Sequence, residues 1–371
     1  MRNSRKLLAV LVVLLALLSF STALAAPVDP AVAAGTSQAR PASGNVVVAN
    51  RGAGTISVID VATDHLSATI ALPAGPSQPE PMYVVYSHVA KRVFVGDRAN
   101  SRVVVFSPED FSVETTVDTG AGLFHMWIDP QNNQLWVNND VDNTATVIDP
   151  MTLEVVATVP MPADLIAVGG KPHDVVLDTR FAYVTIVGFA GPDDYVVKYD
   201  KRTFAEVDRA PVGKDPHVSL TLRNHYLYVP AQGSNEVRVL DRRTLDVATV
   251  LGIPGAHGAG MTNQGKTFYT TNLPGGGTDG LWAIDTQTNT IIGAGVDTPA
   301  NVPHNIALTP DGSKLYVTHS GMNDVVTIYT ASKHDPTPVY AATVTVGSNP
   351  FGLAYVPWHA AAGGAGAFQA G

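Results

Sequence analysis

The sequence predicts an all-β protein, a seven-bladed β-propeller closed by its own C-terminal strand. Three observations carry that expectation. A short apolar run with alternating character recurs seven times, at 45–49, 92–96, 134–138, 181–185, 226–230, 267–271 and 314–318. The spacing is about 40 to 48 residues, the length of one propeller blade. No segment between 44 and 357 sustains a 3.6-residue apolar period, so helices are not expected there.

The clearest copy runs VPHNIALTPDGSKLYVTHSGMNDVVTIYT from Val302 to Thr330. An innermost strand a is expected at 304–308, a turn at Pro310-Asp311-Gly312, strand b at 314–318 and strand c at 325–330, with strand d at 340–346 completing the blade. In five copies strand c ends in Asp with Thr three residues on: Asp60/Thr63, Asp149/Thr152, Asp200/Thr203, Asp241/Thr244 and Asp285/Thr288. Side chains of this type cap turns through their own oxygens. The ends of the array do not match. The first copy begins at strand b and the last, 351–356, is a lone strand a. Pairing that strand with the first three closes the ring and removes two exposed sheet edges.

The remaining segments divide the 371 residues further. Arg2, Arg5 and Lys6 precede an apolar run and Ala23-Leu24-Ala25, the pattern of a secretory signal peptide over 1–26. A flexible leader is expected over 27–43, the propeller over 44–357 and a disordered Ala/Gly-rich tail over 358–371. The chain is therefore expected to be secreted, periplasmic or at the cell surface, a monomer with no membrane span once the signal is cleaved. It has no cysteine, which removes disulfides, thiolate ligands and a Cys nucleophile. Loss of the signal takes the formal charge from −9 to about −12. So acidic a chain, without basic clusters, argues against nucleic acid as a partner.

The segments LYVTHSG (315–321) and PHNIALTPDGSK before it, with LWVNNDV (135–141), LYVPAQG (227–233) and SNPFGLAYVP (348–357), resemble the YVTN family of β-propeller repeats. The resemblance covers roughly residues 44–357. It implies a seven-bladed propeller, in a family typically secreted or surface-borne. It implies little about activity, because a fold of this kind hosts many functions.

Aligning the copies at the start of strand a gives one residue per blade: Met82, His125, His173, His217, His257, His304 and Phe351. In a closed propeller these positions surround the axis at one face. His125, His173, His217, His257 and His304 are therefore candidate metal ligands, with copper or zinc as the expected metal, since neutral imidazole suits both. Met82 is a possible soft ligand beside them. The arrangement resembles the histidine-lined propeller hub of nitrous oxide reductase, where hub histidines hold a copper–sulfide cluster; here Met82 and Phe351 interrupt the ring.

Loops on the same face carry Glu80, Asp97, Asp140, Asp142, Asp164, Asp193, Asp194, Asp215, Asp279, Asp297 and Asp324, an acidic rim expected to steer cations inward. Two glycine-bearing loops, 188–195 and 273–280, are placed to cover the mouth. His319 is either a partner behind His304 or a structural replacement for the Asn of other copies (Asn50, Asn139, Asn272), and the structural reading is favoured. One alternative is a lactonase-like or lyase-like enzyme using a channel histidine as general base beside Asp215. Another is a non-catalytic surface interaction module. Neither a GxSxG elbow nor a phosphate loop is present.

Overall fold

The computed structural model describes residues 43–357. The expected signal peptide, nearly all of the leader and the tail lie outside the described residues. Seven four-stranded antiparallel sheets follow one another around a ring. In chain order the innermost strands are Pro81–Ser87, Leu123–Ile128, Lys171–Leu177, Ser219–Leu220, Ala256–Met261, Pro303–Leu308 and Pro350–Pro357. The last belongs to the first blade, whose sheet is completed by Gly44–Asn50, Thr55–Asp60 and His65–Ala71. The closure read from the unmatched ends is what is found. The C-terminal strand pairs antiparallel with Gly44–Asn50, from Gly44 opposite Pro357 to Asn50 opposite Pro350. The Tyr355 hydroxyl adds a 2.6 Å bond to the Ser43 carbonyl.

The expected b strands are all present, each within two residues of its expected bounds. They are buried along almost their whole length because each blade is covered on both faces by its neighbours. The outermost strands differ. Val113–Asp118 and Val155–Pro160 are mostly exposed; Glu114, Thr115, Thr116 and Asp118 keep the first of these edges polar, while the second exposes Val155 and Val156 beside Thr158. Apolar clusters bridge successive blades around the ring. The one joining the seventh blade to the first contains Tyr316, Val326 and Ile328 with Val46, Ile59 and Leu353. The five Asp/Thr turns behave as expected: each Thr amide donates to the Asp carboxylate, at 2.9 to 3.3 Å.

The entrance to the inner strands matters most for function. In six blades the a–b pairing loses register over two residues near the start of strand a, as between Pro303 and Ile306. A bulge of this kind bends the strand and re-aims its side chains. The first bulge position is Met82, Phe124, His173, His257, His304 and Phe351, and His217 holds the same place after Pro216, which bridges Ala231. The second holds Tyr83, His125, Asp174, Gly258, Asn305 and Gly352. Glycine is needed at 258 because a methyl group there would overlap the His304 carbonyl of the next blade.

Candidate functional site

The first bulge position builds a closed ring of aromatic side chains at one end of the axis. Phe124 stacks on His173 with centroids 4.8 Å apart, and His173 meets His217 at 4.7 Å. His217 and His257 are 3.8 Å apart, His257 and His304 4.7 Å, and His304 and Phe351 4.1 Å. Phe351 and Phe124 complete the circle at 6.2 Å. Four of the five expected histidines stand in this ring.

His125 does not. It lies at the second bulge position, and Phe124 occupies the place aligned for it. The sequence misleads there because the innermost strand of that blade lacks the Pro-His pair that marks the register at His173, His217 and His304. His125 is 1 % exposed, with its ring 4.1 Å from that of Tyr83. Met82 is also withdrawn from the mouth. It is fully buried and packs with Tyr83, Val85 and Phe94, so its sulfur is not offered to a ligand at the surface.

The side chain that organises the histidines is Asp174, which the sequence reading passed over. It is 1 % exposed. One oxygen lies 2.7 Å from His125 Nδ1, and the other lies 3.1 Å from His217 Nδ1 and accepts from the Val218 amide at 3.0 Å. Burial works against its ionised form. The charges and hydrogen bonds of His125 and His217 outweigh burial, and the carboxyl is held well below the usual carboxylate range. An ionised carboxylate only accepts, so Nδ1 of both histidines carries a proton, and Nε2 is the nitrogen each neutral ring would offer to a ligand. His125 Nε2 is buried without a partner among the described residues. His217 Nε2 faces His173 Nε2 at 3.2 Å.

Asp215 completes the group. Its Oδ1 lies 3.5 Å from His173 Nε2, and ligand atoms of His173, Asp215 and His217 fall within 4.8 Å of one another. Asp215 has φ 54°, a left-handed backbone that its surroundings enforce. Buried Asp194 accepts from the Asp215 amide at 2.8 Å and from Lys214 Nζ at 2.6 Å, while Gln232 N donates to the Asp215 carbonyl.

The other two histidines differ in kind. Asn305 donates its amide nitrogen to the Phe351 carbonyl at 3.1 Å, which fixes the amide orientation. The same nitrogen lies 2.9 Å from His304 Nδ1, making that nitrogen the acceptor and leaving the proton on Nε2. His304 as folded therefore has no lone pair directed to the mouth. His257 is 5 % exposed, and neither ring nitrogen has a hydrogen-bond partner among the described residues. Burial, then neighbouring histidines, keep these rings neutral: His173 is pulled down to about 4, His304 to about 3, and His257 well below its ordinary value. His319 is structural: fully buried, with Nδ1 2.8 Å from the Asn301 carbonyl and Nε2 2.8 Å from the Thr327 hydroxyl.

The acidic rim is less free than expected. Glu80, Asp97, Asp140, Asp164, Asp193 and Asp194 pair with Arg51, Arg102, Arg98, Arg209, Arg238 and Lys214 respectively. The two loops expected to cover the mouth are tied down. The Phe189 carbonyl accepts from Lys214 Nζ, and the Gly277 amide donates to Thr298.

The fold and this hub define the class, a seven-bladed β-propeller. Solved structures of the same shape include a protein from Lactobacillus plantarum (TM-score 0.68, 17% identity, covering 85% of this chain and 99% of that one). A putative 6-phosphogluconolactonase from Bacteroides uniformis ATCC 8492 follows (0.64, 14%, 85% and 100%). Hydrazine synthase of Kuenenia stuttgartiensis is also similar (0.62, 16%, 75% and 90%). At these identities the likeness speaks to fold alone. No family model matches the chain, and no curated protein does. Among the described residues no helix is long and apolar enough to cross a membrane.

Proposed function

We propose that the hub mouth binds a transition metal, zinc or copper, through His173 Nε2, His217 Nε2 and the Asp215 carboxylate. One observation carries the reading: the two Nε2 atoms stand 3.2 Å apart while Asp174 holds the far side of the His217 ring. Bonds of about 2.0–2.1 Å at tetrahedral angles require ligand atoms about 3.3–3.4 Å apart. The pair is already near that separation, and a carboxylate behind a ligating histidine is the usual means of fixing its tautomer and aim. His257, with both ring nitrogens unpartnered, is the next nitrogen in reach of a shift.

Three protein ligands leave a coordination position toward solvent, the pattern of catalytic rather than closed structural zinc. A metal held by these residues would supply Lewis acidity and an activated water, which suits hydrolysis; a carrier would use the same position for exchange. Action outside the cytoplasm follows from the residues at 1–26 and is part of this proposal.

The test is metal uptake. Chelator-treated protein titrated with zinc or copper should bind one equivalent at the mouth, and the double variant His173→Ala/His217→Ala should lose it. Full stoichiometry in that variant overturns the reading.

The Asp174–His217 pair favours a second reading, in which a buried carboxylate orients a histidine that acts as general base without metal. The putative 6-phosphogluconolactonase from Bacteroides uniformis shares the fold in which such chemistry would sit. Hydrolytic activity insensitive to chelator but abolished by His217→Ala would select it.

A further inference from the structure

The mouth has two unlike halves. The histidines and Asp215 occupy one, between the fourth and seventh blades. The other holds Phe124, Phe351 and two arginines, Arg51 and Arg98. Each arginine directly follows the last residue of strand b, in the first and second blades. Each guanidinium lies over one hub phenylalanine: Arg51 is 5.3 Å from the Phe351 centroid and Arg98 is 5.6 Å from that of Phe124. Both are held before any ligand arrives. Arg51 Nε and Nη2 share one Glu80 oxygen at 2.7 Å. Arg98 Nη1 donates to the Gly122 and Leu123 carbonyls, and Nη2 to Asp140 at 2.9 Å. Among the described residues Arg51 Nη1 and Arg98 Nε remain without an acceptor, and the side chains are 31% and 22% exposed.

We propose that these two arginines receive a small flat carboxylate, whose anionic group takes the spare N–H of each guanidinium and whose apolar body lies against Phe124, the partly exposed ring of the two. Stacked, pre-oriented guanidinium groups suit planar carboxylate recognition better than a lysine would. Preorganisation also lowers the ordering cost of binding. The inference rests on the metal reading only for what lies at the ligand's other end, where the reacting group would reach the histidine half.

Benzoate is the probe, with benzamide as its uncharged counterpart, in calorimetric titrations of wild-type protein and of Arg51→Gln/Arg98→Gln. Metal content is measured on the same samples. Wild type should bind benzoate more tightly than benzamide, and the double variant should lose about ten- to a hundredfold in benzoate affinity while its metal content is unchanged. Arg51→Lys/Arg98→Lys keeps the charge and should recover only part of the loss. Because both arginines brace loops, each variant is first checked for an unchanged far-ultraviolet spectrum; a variant that fails is replaced by the corresponding single substitution. Benzoate binding that ignores the arginines, or equals that of benzamide, overturns the proposal even where metal is bound. Arginine-dependent benzoate binding in protein that takes up no metal supports it and removes the metal reading alone.

Discussion

His217 Nδ1 and Asp174 Oδ2 lie 3.1 Å apart across the boundary between the fourth and fifth blades, both almost wholly buried. The same carboxylate reaches His125 of the third blade. One side chain thus ties together three consecutive blades at the axis, and it sets which nitrogen of His217 faces the mouth. Fold and chemistry meet in that residue.

Asp174→Asn keeps the shape and removes the charge. The asparagine offers one acceptor where the carboxylate offered two, so either His125 or His217 loses its partner. Metal affinity measured by competition with a chelating dye should fall about 10- to 100-fold, the usual effect of losing the group behind a ligating histidine. Unchanged affinity would mean that Asp174 serves only to join the blades.

Asp194→Ala tests how Asp215 is held. Asp194 is 2% exposed, fixes the Asp215 amide and pairs with Lys214. Removing one partner of a buried pair costs about 3–5 kcal/mol, less here because Lys214 is partly open to water. The left-handed backbone at Asp215 should relax, so metal affinity should fall together with melting temperature. A stability loss with intact affinity would show that Asp215 is not a ligand.

Much of this architecture was legible in the chain. Strand b recurs with enough apolar alternation to be found seven times, and the lone strand at 350–357 announced the ring closure by lacking partners of its own. The hub was legible where Pro-His set the register, at His173, His217 and His304. It was not legible at Phe124-His125, where a two-residue bulge decides which side chain faces the axis and the sequence gives no sign of the choice. Asp174 was hidden for a related reason. It stands at the second bulge position, where the other blades carry no acid, so no column of repeats drew attention to it. Met82 shared a column with the ligands, but Phe124 and Phe351 close over that blade and bury it.

The neutral histidines give the chelator-treated protein a definite acid response. His304 at about 3, and His257 well below its ordinary value, bind protons more readily unfolded than folded. With depressed folded values, their contribution to stability is complete above about pH 6.5, the unfolded value, and is lost as pH falls through 6.5 toward 3. Melting temperature should therefore decline steadily across that window. Substituting His257 by Gln should flatten part of the decline, and a pH profile identical to wild type would contradict the assignment of that ring as neutral and buried.

A control belongs on the opposite face. Lys201 Nζ lies 2.6 Å from Asp129, donates to the Asp178 carbonyl at 2.9 Å and is almost fully buried. Lys201→Ala leaves Asp129 charged and unpaired in the interior, so it should destabilise by about 3–5 kcal/mol. It touches nothing at the hub, and metal stoichiometry at the mouth should stay at the wild-type value in the folded fraction.

Deleting Pro350–Pro357 tests closure itself. The deletion removes Phe351 from the hub and strips Leu353, Ala354, Tyr355 and Val356 from the apolar clusters joining the first blade to its neighbours. Each large apolar side chain contributes about 1.5–3 kcal/mol by burial, and the sheet edge at Gly44–Asn50 would be left unpaired. At roughly 2–4 °C per kcal/mol for domains of about 150–250 residues, the melting temperature should drop by about ten degrees or more, if the truncated chain folds at all. The loss reaches the site as well. Asn305 would lose the Phe351 carbonyl that orients it, and the proton on His304 would no longer be fixed. An unchanged melting temperature would mean that the ring holds without its closing strand, and the convergence of the histidines on one axis would then need another explanation.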